Sequence, residues 1–277
     1  MNASPAEAKQ LLVMLRAEFS RAKLLSYFSI AIQMFISVGG VLGIYLLTAH
    51  WTSLFALLLL VLGIIALVLT GGYKKSYGLA EEARRVYVMH EALGWPISKR
   101  QLTEFLQRFS KKSLSKARGT TETERWFASE TPSGPRRLLE CSQESFFWTH
   151  HLMQHAAKWA LGIIIGGLIC VALVVYSVAF TPWLKGSNLL ARVITVVVLS
   201  LVTSGFYSWY RLFRERSAQV RDLDNELEYL KTTQYTLEDV LRIVHEYDCL
   251  IMDTPPVPDF IYTLHRDELN KLWKGRT

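Results

Sequence analysis

The stretch from Leu24 to Thr70 contains no Lys, Arg, Asp or Glu. A hydrocarbon core about 30 Å thick is crossed by roughly 20 apolar residues in helical form. The stretch is long enough to cross twice, with a tight turn expected near His50 to Ser53. A helix on a soluble core returns a polar residue every third or fourth position, and this stretch does not. Lipid offers the backbone no hydrogen-bond partners, so each crossing is expected to be helical. The stretch reads as a transmembrane hairpin.

The pattern recurs later in the chain. Trp159 to Phe180 and Leu189 to Tyr210 are apolar runs joined by a short turn, TPWLKGSN. The second span ends at Gly71-Gly72 with Lys74 and Lys75 just beyond, and the fourth runs into RLFRER. Tyr207, Trp209 and Tyr210 stand at the depth where aromatic belts form. The two short turns, with the start of the fourth span, hold only Lys185 and Arg192 of the 31 basic residues. The positive-inside rule then places both termini and the segment between the hairpins in the cytoplasm. The expected fold is an all-α membrane protein: four transmembrane helices in two hairpins, with a cytosolic helical insert and a cytosolic helical tail. The boundaries are 1–23 for an N-terminal amphipathic helix, 24–73 for the first hairpin, 74–158 for the insert, 159–210 for the second hairpin and 211–277 for the tail.

The cytosolic segments also have a readable pattern. Ser4-Pro5 suits a helix start, and the helix to Lys23 is either an interfacial or partner-binding element or the run-in to the first span. Tyr77 to Trp95 reads as helix; Pro96 and Ser98 stop it and start the next, roughly Lys99 to Phe109. Lys111 to Glu124, basic and rich in Ser and Thr, reads as a mobile loop. The SETPSGP portion is a turn, and Arg136 to Lys158 is a helix that runs straight into the third span. In the tail, Val220, Leu223, Leu227 and Leu230, then Leu237, Leu241 and Val244, repeat at coiled-coil spacing. A break is expected near Thr232 and a helix start at Thr236 with Asp239. This stripe suits either self-association or packing on the insert.

The net charge of +7 fits a basic cytoplasmic face or a ligand rich in phosphates. Cys141, Cys170 and Cys249 form no CxxC pair, which argues against a disulfide framework or zinc site. The N-terminus lacks the pattern of a cleavable signal peptide, so the first span is expected to act as an uncleaved anchor.

Several short stretches bear a family likeness. Leu93-Gly94-Trp95-Pro96 leads to Arg125-Trp126-Phe127, then Pro135-Arg136-Arg137-Leu138, and Gln143 to Trp148 before the third span. Near the C-terminus comes Pro258-Asp259-Phe260-Ile261-Tyr262 with Arg266. In these motifs and in its order of elements, the chain resembles the SMODS-associating four-transmembrane effectors. The resemblance implies a multi-pass protein of the bacterial inner membrane that acts in abortive-infection defence against phage. In that family a nucleotidyltransferase makes a cyclic oligonucleotide, and the effector is expected to oligomerise and permeabilise the membrane in response. The expected partners are the bilayer, further copies of the chain and a cyclic oligonucleotide. No DNA or RNA polymer, cofactor or metal is expected. The competing reading is a membrane-anchored scaffold that recruits partners through its cytosolic helices and forms no pore.

A phosphate-bearing ligand calls for Arg forks beside aromatic planes on which bases stack. Arg125, Trp126, Arg136, Arg137 and Trp148 supply both within one stretch, with Arg266, Arg84 and Arg85 as possible additions. The alternative is that these arginines pair with Glu130, Glu140 and Glu144 or meet lipid headgroups. For the spans, Gln33, the GxxxG pairs Gly39/Gly43 and Gly162/Gly166, and the stripe of Ser200, Thr203, Ser204 and Ser208 suit either close helix packing or a polar path. His151 and His155 have the spacing of a two-His metal site, but no acidic residue stands at the HExxH position; a membrane-surface helix suits them better. Glu81-Glu82 and Phe146 with His150 faintly resemble intramembrane CAAX-type proteases. Those glutamates lie outside the spans, however, and no GxSxG, P-loop or Rossmann glycine pattern occurs. The chain is therefore expected not to be an enzyme.

Overall fold

The computed structural model describes residues 2, 4–46, 49–119, 126–180 and 205–276. Among these residues the chain is all-helical. The elements are α1 (Pro5–Leu46), α2 (Ala49–Leu93), α3 (Lys99–Arg108), α4 (Lys111–Gly119), α5 (Pro135–Phe180), α6 (Phe206–Lys231), α7 (Leu237–Met252) and α8 (Asp259–Arg276). Two of the helices are long and apolar enough to cross a membrane. They are α2 from Ser53, with mean hydropathy 2.9 in its most apolar window, and α5 as far as Ile169, at 1.3. Only 6% and 22% of those windows are buried. A core helix of a soluble protein would be covered by its neighbours.

The chain divides into two compact units. The first, here called the body, comprises Met1–Lys23, Lys74–Ala156 and Phe213–Thr277; the second comprises Leu24–Tyr73 and Ala157–Leu212. In the body, Leu11, Leu12, Val13, Met14 and Leu15 are five consecutive buried residues. α1 therefore enters the core on every side, rather than lying at an interface or serving only as a run-in. Burying side chains of this size contributes about 1.5–3 kcal/mol each. They pack with Leu79, Ala83, Tyr87, Ile97, Leu102 and Phe105. Ser4 and Glu7 exchange hydrogen bonds at the start of α1, with Pro5 as its first residue. Ser98 and Gln101 form a capping box on α3, and Thr236 and Asp239 form another on α7.

Several expectations are corrected. α2 already begins at Ala49, so His50 to Ser53 lie in helix and not in a turn. The helix also runs through Gly71-Gly72 without a break and stops at Leu93. There Gly94 takes φ +70 and donates its N–H to the His90 carbonyl, the left-handed closure that glycine permits. The expected mobile loop is helix α4 as far as Gly119. It is held by Glu18, which is 1% exposed and accepts from Ser113 Oγ at 2.6 Å and from the Ser110 N–H at 3.3 Å. Of the two readings of the coiled-coil stripe, the burial of Val220, Leu223, Leu227 and Val244 inside the chain itself fits packing within it and corrects neither. The second short turn and most of the fourth apolar run lie outside the described residues.

Candidate functional site

Five helices, with Lys231 at the end of a sixth, α6, wall a cavity of about 1240 Å³ in the body. α1 supplies Arg16, Phe19, Ser20 and Lys23, and α2 supplies Tyr77, Glu81 and Arg84. From α5 come Glu140, Glu144, Trp148 and Leu152, every fourth residue, with Gln143 and Thr149 beside them. α7 gives Tyr247 and Ile251, and the turn after it gives Pro255, Pro256 and Val257. α8 gives Asp259, Tyr262, Arg266, Asn270, Trp273 and Lys274. Residues spaced by three and four share a helix face, so each wall follows from helical periodicity. Trp126 to Ser129, from the segment before α5, complete the lining.

Seven cationic and four acidic side chains line the cavity, with eight aromatic rings among them. Trp126 lies under the Arg16 guanidinium, 5.1 Å from its ring centroid, and is tilted against Tyr87 at 6.1 Å. Trp148 and Tyr262 have ring centroids 5.7 Å apart, and Trp273 carries Arg276 over its ring at 5.9 Å. Several of the cations are engaged. Arg84 donates to Glu81 and Asp248, each at 2.7 Å, and Arg276 forks onto Asp224 at 2.6 and 3.1 Å. Lys23 pairs with Asp259. Arg266 and Lys274 make no ion pair or hydrogen bond among the described residues. Glu144, half-buried, accepts from the Ala128 N–H at 2.9 Å, and burial pushes its pKa above the ordinary carboxylate range. Burial would do the same to Glu140, but Thr131, Ser129 and Arg136 outweigh it and lower that pKa.

Of the ligand-binding candidates, Trp126, Trp148 and Arg266 come together in this cavity. Arg136 and Arg137 do not line it. Arg136 pairs with Glu140 at 3.1 Å on an exposed helix start. Arg137 is held by Glu91 and by the Thr131 carbonyl. Arg125 lies outside the described residues. Sequence reasoning missed Arg16, Lys231, Lys274, Arg276 and Trp273 as cavity residues. The signal was present in α8, where Tyr262, Arg266, Asn270 and Trp273 recur at helical spacing.

Candidates for the spans fare unequally. Gln33 donates to Ser29 Oγ at 3.2 Å, and Ser29 Oγ lies 3.0 Å from the Ala66 carbonyl and 2.7 Å from Thr70 Oγ1. This polar knot ties α1 to α2. At Gly39 an added Cβ would meet Phe55 at 3.4 Å and Leu59 at 3.7 Å, ordinary van der Waals contacts, so the packing of α1 on α2 there does not require a glycine. Gly162 and Gly166 have nothing within 4 Å of an added Cβ among the described residues. Ser208 is exposed on the first turn of α6. Ser200, Thr203, Ser204 and the surroundings of Gly43 lie outside the described residues.

His150, His151 and His155 make contacts within the body. His150 Nδ1 lies 3.0 Å from Ser217 Oγ, and burial, then the neighbouring His151, depresses its pKa. His155 stacks on His265 with centroids 3.5 Å apart. Among the described residues no group of three His, Cys, Asp or Glu is placed to hold a metal ion. Comparison with protein-family models, with curated proteins and with solved structures finds no match to this chain.

Proposed function

We propose that this chain is a four-span effector of the bacterial inner membrane, both termini cytoplasmic, whose body binds a cyclic oligonucleotide and whose spans then permeabilise the bilayer as an oligomer. The observation that carries this reading is the cavity. Its volume exceeds the roughly 300–1,000 Å³ of ordinary small-molecule pockets, which suits a ligand larger than a mononucleotide. Arg266 and Lys274 are left for phosphate, and Trp148 and Tyr262 supply aromatic rings for bases, with Trp126 beside them under Arg16. Each stacked base is worth about 1–3 kcal/mol.

The same helices carry both halves of the proposed mechanism. α1, α2 and α5 each present a cavity wall in the body and continue as a single helix into an apolar run. A ligand with higher affinity for one arrangement of those walls shifts the population toward it. Calorimetry on the full chain in detergent, with a panel of cyclic di- and trinucleotides, tests the binding step. Trp148→Ala and Arg266→Ala are each expected to weaken binding about ten-fold or more, while Arg136→Ala leaves it unchanged. Dye release from vesicles tests the second step. A panel that neither binds nor releases dye overturns the reading. Binding without release favours the membrane-anchored scaffold, although the burial of Val220, Leu223 and Leu227 removes the coiled-coil stripe as its recruiting surface.

A further inference from the structure

Glu18 ties three helices of the body together. Its carboxylate accepts from the Ser110 N–H at 3.3 Å and from Ser113 Oγ at 2.6 Å, which holds the start of α4 on α1. It also accepts from Ser76 of α2, and Arg21 on the next turn of α1 donates to it at 2.9 Å.

Lysines flank these serines. Lys74 and Lys75 precede Ser76, and Lys111 and Lys112 lie between Ser110 and Ser113. All four are exposed, and none makes an ion pair or hydrogen bond among the described residues. The carboxylates of the neighbouring helices are already held. On α2, Arg84 holds Glu81, Arg108 holds Glu82 and Arg137 holds Glu91. On α3, Arg100 holds Glu104, and α4 has no acidic residue. With Glu18 balanced by Arg21, four uncompensated cations gather round one node.

The node also has a definite place in the chain. Glu18 stands six residues before Leu24, where the second unit begins, and Lys74 directly follows Tyr73, where that unit gives way to the body. Six residues are less than two helical turns. Clustered lysines beside an apolar run match the phosphate of an anionic lipid headgroup. Ammonium groups hold a soluble phosphate too, but only a lipid adds acyl chains for the apolar run that starts beside them.

We propose that Lys74, Lys75, Lys111 and Lys112 form a site for the phosphate of an anionic phospholipid, assembled by the docking of α4 on Glu18. This rests on the membrane reading given above. Two of the lysines follow an apolar run directly; the other two reach the site only because Glu18 holds α4. α1 then serves both ligands, lining the cavity with Arg16, Ser20 and Lys23 and anchoring the lipid site through Glu18.

The test reconstitutes the full chain in phosphatidylcholine vesicles with a trace of spin-labelled phosphatidylglycerol or spin-labelled phosphatidylcholine. The motionally restricted fraction of the electron spin resonance spectrum gives the relative association of each lipid with the protein. The parent is expected to prefer phosphatidylglycerol by about three-fold or more. Lys111→Gln with Lys112→Gln should lose about half of that preference, and substitution of all four lysines should abolish it. Lys9→Gln with Lys99→Gln removes the same charge near the start of α1, where Ser98 pairs with Asn2, and should leave the preference unchanged. If the Lys111 and Lys112 variant matches the parent, or the Lys9 and Lys99 variant loses as much as it does, the site is overturned and the membrane reading stands. Displacement of the labelled phosphatidylglycerol by excess inorganic phosphate at constant ionic strength would assign the patch to a free phosphate and overturn the proposal. If neither lipid is motionally restricted, both readings fail.

Discussion

Replacing Arg84 tests how the cavity wall is held. Its side chain is 12% exposed and meets Glu81, 5% exposed, and Asp248, 9% exposed, with the guanidinium also 5.4 Å from the Tyr247 ring centroid. Burial alone would lower its pKa, but Glu81, Tyr247 and Asp248 together keep the guanidinium firmly charged. Arg84→Met fills similar space and leaves the carboxylates behind. Asp248 keeps Arg85, whose Nε is 3.4 Å away, so Glu81 is the group stranded. Removing one partner of a buried pair costs about 3–5 kcal/mol, and the remaining Arg85 places this case at the lower end. For a body of this size each kcal/mol shifts the unfolding temperature by about 2–4 °C. Thermal unfolding of the full chain in detergent, followed by tryptophan emission, is therefore expected to drop by about 6–12 °C. Two controls isolate the cause. Arg100→Met removes a pair whose side chains are 90% and 53% exposed and is expected to cost under about 1 kcal/mol. Combining Arg84→Met with Glu81→Gln and Asp248→Asn removes the stranded charge and should restore much of the loss. If Arg84→Met shifts the transition no further than Arg100→Met, the buried triad is not what holds this wall.

Other predictions follow from neighbouring sites. Glu144 lines the cavity with its pKa raised by burial, so acidification from neutral pH should remove a negative charge and tighten binding of a phosphate-rich ligand; in Glu144→Gln, calorimetry should show that pH dependence flattened. Burial opposes ionisation of Glu18, but hydrogen bonds from Ser113, Ser76 and Ser110 outweigh it and lower its folded pKa. Its contribution is then complete above the unfolded carboxylate pKa and is lost as pH falls through the lower folded value. Glu18→Gln should cost about 1.5–3 kcal/mol at neutral pH and show less acid destabilisation than the parent. Burial pushes the Cys141 thiol up to about 12, whereas Cys249 is exposed. Maleimide labelling of the native chain, read by peptide mass, should modify Cys249 and spare Cys141 until denaturant is added.

What could be read from the sequence depended on whether a signal was local in the chain. The division near Lys23, Tyr73, Ala156 and Leu212 falls within about two residues of where charge stops and resumes, a signal carried by each position taken alone. The caps at Ser98 and Thr236 were legible for the same reason: a cap is a contact three residues long. Helix α4 was not, because what orders it is Glu18, 95 positions from Ser113 in sequence and buried against it. The arginines show the same limit. Arg136 and Arg137 look like a phosphate fork beside Trp126 in the sequence, but Glu140 one helical turn on and Glu91 on α2 occupy them. Arg266 was added only as an outlying candidate, yet the face that Arg266 shares with Tyr262 and Asn270 carries it to Trp148 and the cavity. Charge and aromatic composition therefore named the side-chain types that gather at the cavity, while the choice among cations depends on which ones an internal carboxylate already holds. By that criterion Arg266 and Lys274 are the cations to which a phosphate would bind first.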